Sequence, residues 1–596
     1  MNSASPVASS TGAEISSEPR DPYAARPWLS SYPPGIPADI PLPSVSLPGL
    51  VGEAARRFPN RAALIFALAP GVERRWTYEA LWRDSGRFAS FLVSRGFQKG
   101  DRLALYLPNC PQYVLAYLAA LRLGLTVVQV SPLYLGQDLV FPLKDSGARG
   151  LVTLDILSHH LERVRGEVDL PTVVVGTLRE VSPWWARPLV DRTLRRQGQD
   201  PSPPRAMPWI PFAEGLRPRP SVPEPDLDPA KDVAVFQYTG GTTGRPKAAM
   251  LTHRNLVANA LQCRAWFPEG EGQAVRVLAV IPFFHVYGMT VALNYPLSIG
   301  ATLIVNPQRP EPGLLLKLID RYRPHQLPGV PAMYNALIHH PDVGRYDLRT
   351  IQTCLSGSAP LPVEVAKRFE ELTGGHLVEG YGLSEASPVT HANPIQGPVR
   401  RGSVGLPLPS TQARIVDLED PARIVPLGET GELSVRGPQV MLGYWNQPEE
   451  TASVLRDGWL LTGDVARMDA EGYTYIVDRK KDLILVGGFN VYPREVEEVL
   501  YQHPGVAEAA VVGVPDPERG EVVKAFVVPK PGVTLTEREM IDFVRERIAH
   551  FKAPRTIEFR SSLPKSLVGK VLRRELRAET PAPRPSVAAS PPSPSG

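Results

Sequence analysis

Tyr238-Thr-Gly-Gly-Thr-Thr-Gly-Arg-Pro-Lys247 directly follows an apolar, strand-like run at positions 233–236. A turn this dense in glycine and hydroxyl side chains exposes backbone N–H groups that can wrap phosphate oxygens, and Lys247 adds a positive charge. It is not a Walker A loop. Gly244 is followed by Arg-Pro-Lys-Ala rather than Gly-Lys-Ser/Thr, and Pro246 stands where helix N–H donors would be needed. Glycine and threonine richness alone would equally suit a flexible linker, so the surrounding chain must decide.

Helix and strand patterns alternate around this segment: the amphipathic run Tyr78–Ser94, a strand pattern at 102–107, a helix pattern at 112–123 and a strand pattern at 125–130. Such alternation predicts an α/β architecture with mostly parallel sheets. Toward the carboxyl end the pattern shrinks to a helix opening at Pro493, strands at 509–513 and 522–528, and a helix started by the capping box Thr536 to Glu539. We therefore expect a large N-terminal domain of parallel-sheet α/β subdomains over 26–480 and a small α+β C-terminal domain over 481–579. Residues 1–25 and 580–596 carry too little apolar area to offset ordering entropy and are expected to be disordered. The proline-rich stretch 200–226 reads as a surface connection.

At 596 residues the chain exceeds what one hydrophobic core supports, and 43% hydrophobic with 21% charged residues is ordinary for a globular protein. Sixty-five basic against 61 acidic residues, a net charge of +4, point to no nucleic-acid partner. The most apolar stretch, 113–130, is interrupted by Arg122, Gly124 and Gln129, so it reads as a buried helix and strand rather than a membrane span. The amino terminus lacks the basic start and apolar run of a secretory signal, which makes a cytoplasmic location the expectation. Cys110, Cys263 and Cys354 form no metal-ligand spacing and read as buried small apolar residues.

The ten-residue string resembles the phosphate-binding signature of the acyl-adenylate-forming superfamily, which includes acyl-CoA synthetases, peptide-synthetase adenylation domains and beetle luciferases. The similarity runs from about Trp28 to Leu576. It implies that Thr239, Gly240, Gly241, Thr242, Thr243, Gly244 and Lys247 hold the phosphates of ATP. Gly380-Tyr-Gly-Leu-Ser-Glu385 is similar to the adenine and magnesium motif, which implies that Tyr381 stacks on adenine, Ser384 bonds the α-phosphate and Glu385 is a Mg²⁺ ligand. Threonine is the commoner residue at Ser384, and the hydroxyl survives the change. Ser356-Gly357, in Ser356-Gly-Ser-Ala-Pro360, resembles the segment against the adenine ring, while Asp464 and Arg479 match the residues that hold the ribose hydroxyls. A carboxylate accepts from a vicinal diol and a guanidinium donates to it. Lys481 matches the hinge on which the small domain of these enzymes swings, so that domain is expected to be mobile. Gly488 lies in a loop similar to the one bordering the pantetheine tunnel. Lys570 is similar to the mobile catalytic lysine of adenylation, and Arg573, Arg574 and Arg577 beside it read as a solvated helix face.

Within the superfamily the strings Pro282-Phe-Phe-His-Val-Tyr-Gly288, Gln439-Val-Met-Leu-Gly-Tyr-Trp445 and Leu563-Pro-Lys-Ser566 look most like the bacterial long-chain fatty-acid ligases. By that likeness His285 would sit near the acyl carboxylate; as a lone histidine beside aromatics it also suits a satisfied core residue. Gly329-Val-Pro-Ala-Met-Tyr334 resembles one wall of the acyl tunnel. The implied reaction joins a fatty acid to coenzyme A through acyl-AMP, with ATP and Mg²⁺. An aryl- or medium-chain ligase, an adenylation domain serving a carrier protein, and a catalytically silent fatty-acid-binding relative are the alternatives. Silence would cost the charged groups first, yet Lys247, Glu385, Asp464, Arg479 and Lys570 are all present. The resemblance leaves open a homodimer and peripheral contact with the inner face of the membrane.

Overall fold

The computed structural model describes residues 21–69, 71–196, 198–204, 207–239, 246–267, 273–307, 311–517, 519–566 and 570–579. Its largest sheet has eight strands in the order Gly443–Tyr444, Lys247–Thr252, Val233–Thr239, Thr126–Val130, Arg102–Tyr106, Gly150–Leu154, Thr172–Gly176 and Ile210–Pro211. The six from Val233–Thr239 onward run parallel, and the first two pair antiparallel along the other edge. Thr126–Val130, Gly150–Leu154 and Thr172–Gly176 are buried along their whole length. That is why they read as unbroken apolar runs, since a parallel sheet is covered on both faces.

A second sheet joins Arg276–Ala279, Thr302–Val305, Ala62–Ala69 and Val72–Thr77, and bridges through Gln326 connect it to the strands Thr353–Ser356 and His376–Gly382. A third, antiparallel sheet holds Gln412–Val416, Gly431–Arg436, Trp459–Met468 and Thr474–Arg479. After the turn Lys480–Asp482 the chain enters a separate small core around Ile484, Val496, Leu500, Val511 and Met540. There Val506–Asp516 and Gly520–Pro529 form the central antiparallel pair, packed by the helices Pro493–Tyr501 and Glu537–Arg545.

Local chemistry accounts for the boundaries. The helix Tyr78–Ser94 starts where Thr77 accepts from the Ala80 N–H at 3.1 Å, and the Thr536 box closes reciprocally with Glu539. The stretch 113–130 is the buried helix Pro111–Arg122 followed by the strand Thr126–Val130. No helix of the described residues is long and apolar enough to cross a membrane. All three cysteines are buried, and burial pushes the Cys110 and Cys263 thiols up to about 12.

Three expectations are corrected. The segment 1–25 is not structureless to its end: residues 21–25 form turns, and the Tyr23 ring, 3% exposed, packs into the main core. The connection at 200–226 does more than cross the surface. Ile210–Pro211 adds an edge to the large sheet, and Phe212 stacks on Phe88 at 4.6 Å because the stretch carries apolar residues between its prolines. Arg573 does not lie on a solvated face, and Arg577 is only half-exposed. Arg573 donates to both Glu497 oxygens at 2.8 and 2.7 Å, and Arg577 lies 3.4 Å from Asp482, so the final helix Arg573–Ala578 is tied to the turn that joins the domains. Arg574 is exposed as expected. The expected ends 1–20 and 580–596 lie outside the described residues.

Candidate active site

The glycine-threonine turn connects two strands of one hairpin, Val233–Thr239 and Lys247–Thr252, with Thr239 and Lys247 facing each other across it. A strand follows the turn, as Pro246 demands, where a Walker A loop would be followed by a helix. Gly240, Gly241, Thr242, Thr243 and Gly244 lie outside the described residues. Lys247 is 6% exposed, and its ammonium is bonded to the Glu450 carboxylate while sitting 5.3 Å from the Tyr444 ring centre. A buried ammonium needs such a partner.

Tyr444 links this lysine to the next group, since its hydroxyl donates to Glu385 Oε1 at 2.8 Å. Glu385 sits in the single turn Ser384–Ala386, which leaves the strand His376–Gly382, and its backbone carbonyl accepts from Met441 N at 2.7 Å. Its second carboxylate oxygen has no protein donor among the described residues. Glu385 belongs to no cluster of three carboxylate, imidazole or thiolate side chains among the described residues. A single free carboxylate oxygen still suits Mg²⁺, which takes one or two protein carboxylates and completes its shell with water and substrate oxygens.

Tyr381, from the same strand, donates to Asp464 Oδ2 at 2.6 Å, and Arg479 Nε approaches the other oxygen at 3.3 Å. Asp464 and Arg479 are cross-strand neighbours on Trp459–Met468 and Thr474–Arg479, so residues 15 positions apart in sequence meet by register. Burial, then the Asp464 charge, holds the Tyr381 phenol well above its ordinary range. Glu432, 4% exposed, accepts from Gly463 N at 3.0 Å and from Lys480 Nζ at 3.0 Å. It thereby holds the Asp464 turn against the interdomain turn.

Ser356 ends the strand Thr353–Ser356 with its hydroxyl buried and without a partner among the described residues. A Cβ on Gly357 would come within 3.1 Å of the Tyr287 ring, whose hydroxyl donates to Leu355 O at 2.6 Å and Gly329 O at 3.1 Å. Any larger residue there would press on the ring and push it back. Behind Leu355 lies a small cavity of about 20 Å³, room for little more than a water molecule, lined by Phe267, Val291, Tyr295, Gln326, Pro328 and Thr353. Val291 lies in a π-helical turn, Thr290–Asn294, and such turns recur at functional sites.

The small domain closes the site. Lys570 O accepts from Ser566 N at 2.8 Å beside an antiparallel bridge between Lys565 and Val571, and the Lys570 ammonium feels the charges of Arg479, Asp464, Lys481 and Asp482. Burial and Arg479 push it down to about 7, with Lys481 acting in the same direction and the two aspartates opposing. His285 caps the turn Val286–Met289 by accepting from Tyr287 N at 3.2 Å, and burial with the neighbouring Lys570 charge lowers it to about 4. His285 is therefore neutral at pH 7 and is both a cap and a neighbour of Lys570.

Thr239, Lys247, Glu385, Tyr381, Asp464, Arg479, Lys481, His285 and Lys570 thus form one continuous neighbourhood, with Ser384 beside Glu385. Gly488 lies apart in bonding. It occupies a two-residue turn at φ +86°, nothing lies within 4 Å of a Cβ placed there, and the recorded partners of its neighbours, Arg519 and Phe551, belong to the small domain. Tyr287, Glu432, Tyr444, Glu450 and Asp482 were not found from sequence. Tyr287 and Tyr444 lie inside strings singled out for their likeness, but the bonds that give them a part cross 42 to 68 positions of chain.

Residues 51–445 match the model of the AMP-binding enzyme family, and residues 495–570 match that of the AMP-binding enzyme C-terminal domain. A long-chain-fatty-acid–CoA ligase of Bacillus subtilis is 46% identical over 556 residues, covering 93% of this chain and 98% of its own. Among solved structures, ATP-bound MatB from Rhodopseudomonas palustris superposes with a TM-score of 0.75 at 30% identity, covering 90% of this chain and 99% of its own. An anthranilate CoA ligase in complex with anthranoyl-AMP gives 0.78 at 27% identity, covering 90% and 98%.

Proposed function

This chain belongs to the AMP-binding enzyme family, and from that premise we propose that it is an AMP-forming ligase that joins a long-chain fatty acid to coenzyme A. The observation that carries the reading is the 46% identity to the B. subtilis long-chain ligase across nearly the full length of both chains.

The reaction has two steps. A carboxylate oxygen attacks the α-phosphorus of ATP, the bond to the bridging oxygen breaks, and pyrophosphate leaves. The coenzyme A sulfur then attacks the acyl carbonyl and AMP departs with the bonding electron pair. Thr239, the turn 240–244 and Lys247 hold the triphosphate, and Glu450 releases Lys247 as the phosphates replace it. Tyr381, Ser356 and Gly357 receive the adenine, while Asp464 and Arg479 grip the ribose diol. Ser384 donates to the α-phosphate. Glu385, oriented by Tyr444, would hold Mg²⁺, which when bound neutralises phosphate charge. Lys570 stabilises the negative charge that gathers between carboxylate and α-phosphate. Neutral His285 borders the carboxylate. The small domain then turns about Lys481 and brings the Gly488 turn to the thiol's path. No cysteine of the chain acts as nucleophile.

Peripheral contact with a membrane surface at its cytoplasmic face, and a homodimer, also belong to this reading. The test is pyrophosphate release with palmitate, cinnamate and amino acids, each with and without coenzyme A. Palmitate should dominate and should need coenzyme A to turn over. Preference for cinnamate would make the chain an aryl ligase, and no release with any acid would make it a silent binder.

A further inference from the structure

The large sheet leaves an apolar and basic ridge that the chemistry above does not use. After the strand Thr172–Gly176 the chain forms the short turn Trp184–Ala186 and then the helix Arg187–Arg196. Ala186, Val190 and Leu194, one helical turn apart, are buried and anchor it. The opposite side presents Trp184 at 79%, Trp185 at 55% and Leu189 at 57% exposure. Arg187, Arg192, Arg195 and Arg196 are all exposed and make no ion pair among the described residues. Asp191, the helix's one acid, is taken by Arg179 at 3.2 Å.

We propose that Trp184, Trp185 and Leu189, flanked by Arg187, Arg192, Arg195 and Arg196, dock this protein on an anionic lipid surface. The inference rests on the peripheral-contact reading above and names the surface responsible. Two exposed tryptophans beside a leucine are costly in water and suit the headgroup boundary, where amphipathic rings settle. The unpaired guanidiniums supply the charge complement to acidic headgroups. Nucleic acid would use the arginines but leave the tryptophans and leucine in water, and the chain's net charge of +4 gives no general pull toward it.

The topology extends the ridge. Thr126–Val130 runs parallel to Thr172–Gly176 three strand spacings away, about 14 Å. The chain leaves both strands at the same end of the sheet. Leu133 and Leu135, 61% and 51% exposed, follow the first of them. Val233–Thr239 is parallel to both, so Thr239, where this strand ends, lies at that end too. Docking there keeps the mouth of the nucleotide site close to the phase in which an apolar acid concentrates.

The test is co-sedimentation of the full-length chain with phosphatidylcholine vesicles containing about one-third phosphatidylglycerol, against pure phosphatidylcholine vesicles and duplex DNA. The wild-type chain should bind the anionic vesicles, lose them at high salt, and show a blue-shifted tryptophan emission when bound. Trp184→Ala with Trp185→Ala, and separately Arg192→Glu with Arg195→Glu, should each lower vesicle partitioning at least tenfold. Both variants should make palmitoyl-CoA from albumin-delivered palmitate at the wild-type rate, since these side chains lie outside the catalytic groups. A wild-type chain that binds no vesicle would overturn peripheral contact altogether. Variants that bind as well as wild type would leave contact standing and overturn this surface. Binding to duplex DNA in place of vesicles would assign the arginines to nucleic acid and overturn the proposal.

Discussion

Replacing Lys570 with alanine separates the two half-reactions. The ammonium feels Asp464, Arg479 and Lys481, so in this arrangement it stands near the Asp464–Arg479 pair and beside His285. A unit charge about 4 Å from a developing negative charge is worth about 4 kcal/mol at an effective dielectric of 20, or roughly 10³-fold in rate. Removing one oxyanion-type donor typically costs about 10²- to 10³-fold, and we expect acyl-AMP formation to slow by that amount. Single-turnover pyrophosphate release reports it. Thioester formation from supplied acyl-AMP should survive, because that step is read as using a different face of the small domain. The pH dependence adds a second readout. Without nucleotide, Lys570 titrates near 7 instead of 10.5, so the charged form carries a cost in the docked position that is full below pH 7. That cost fades as pH rises toward 10.5, because the undocked lysine binds more protons over this window. Docking of the small domain in the nucleotide-free protein should therefore strengthen with rising pH, while the adenylation rate at low ATP falls through pH 7. The phosphates of bound ATP should move the midpoint upward. His285, at about 4, contributes nothing to that limb. Equal losses in both half-reactions for Lys570→Ala would sink the alternating-domain reading.

Four further outcomes follow from the geometry. Tyr444→Phe leaves Glu385 without its 2.8 Å donor, and kcat/KM for MgATP should fall about tenfold, the worth of a hydrogen bond to a charged group. Arg573→Ala strands Glu497, which then keeps only the Val511 N–H, and the uncompensated carboxylate should cost about 3–5 kcal/mol, read as a drop in Tm of the full chain; an unchanged Tm would show the pair to be solvated. Gly488→Leu should slow the coenzyme A step while acyl-AMP still forms. Because Gly488 sits at φ +86°, where leucine is strained but asparagine is tolerated, Gly488→Asn is the control that separates a blocked path from a distorted turn. Specificity should climb about fourfold for each methylene from octanoate upward until the acyl tunnel is full, as about 0.8 kcal/mol per buried CH₂ requires; a flat profile measured as kcat/KM would contradict an alkyl tunnel.

Elements governed by local rules were legible in the sequence. The helix Tyr78–Ser94 lies where its apolar period and its Thr77 cap put it, and the Thr536 box closed as its spacing implies, because both depend on bonds spanning three or four residues. The strand Lys247–Thr252 after Pro246 likewise agrees with the exclusion of a Walker A loop, which a helix would follow. The resemblance named Asp464 and Arg479, but only strand register shows them as one cross-strand pair beneath the Tyr381 hydroxyl. Arg573 and Arg577 illustrate what sequence could not decide. Charged residues in a terminal helix look solvated until the fold brings Glu497 and Asp482, 76 and 95 positions earlier, against them. Glu450, Tyr444 and Glu432 acquire their parts in the same way, through partners distant in the chain and therefore invisible to any local pattern. The same holds for the exposed ridge at Trp184. Its composition is ordinary in sequence, and only the burial of Ala186, Val190 and Leu194 on one side fixes which residues are left facing outward.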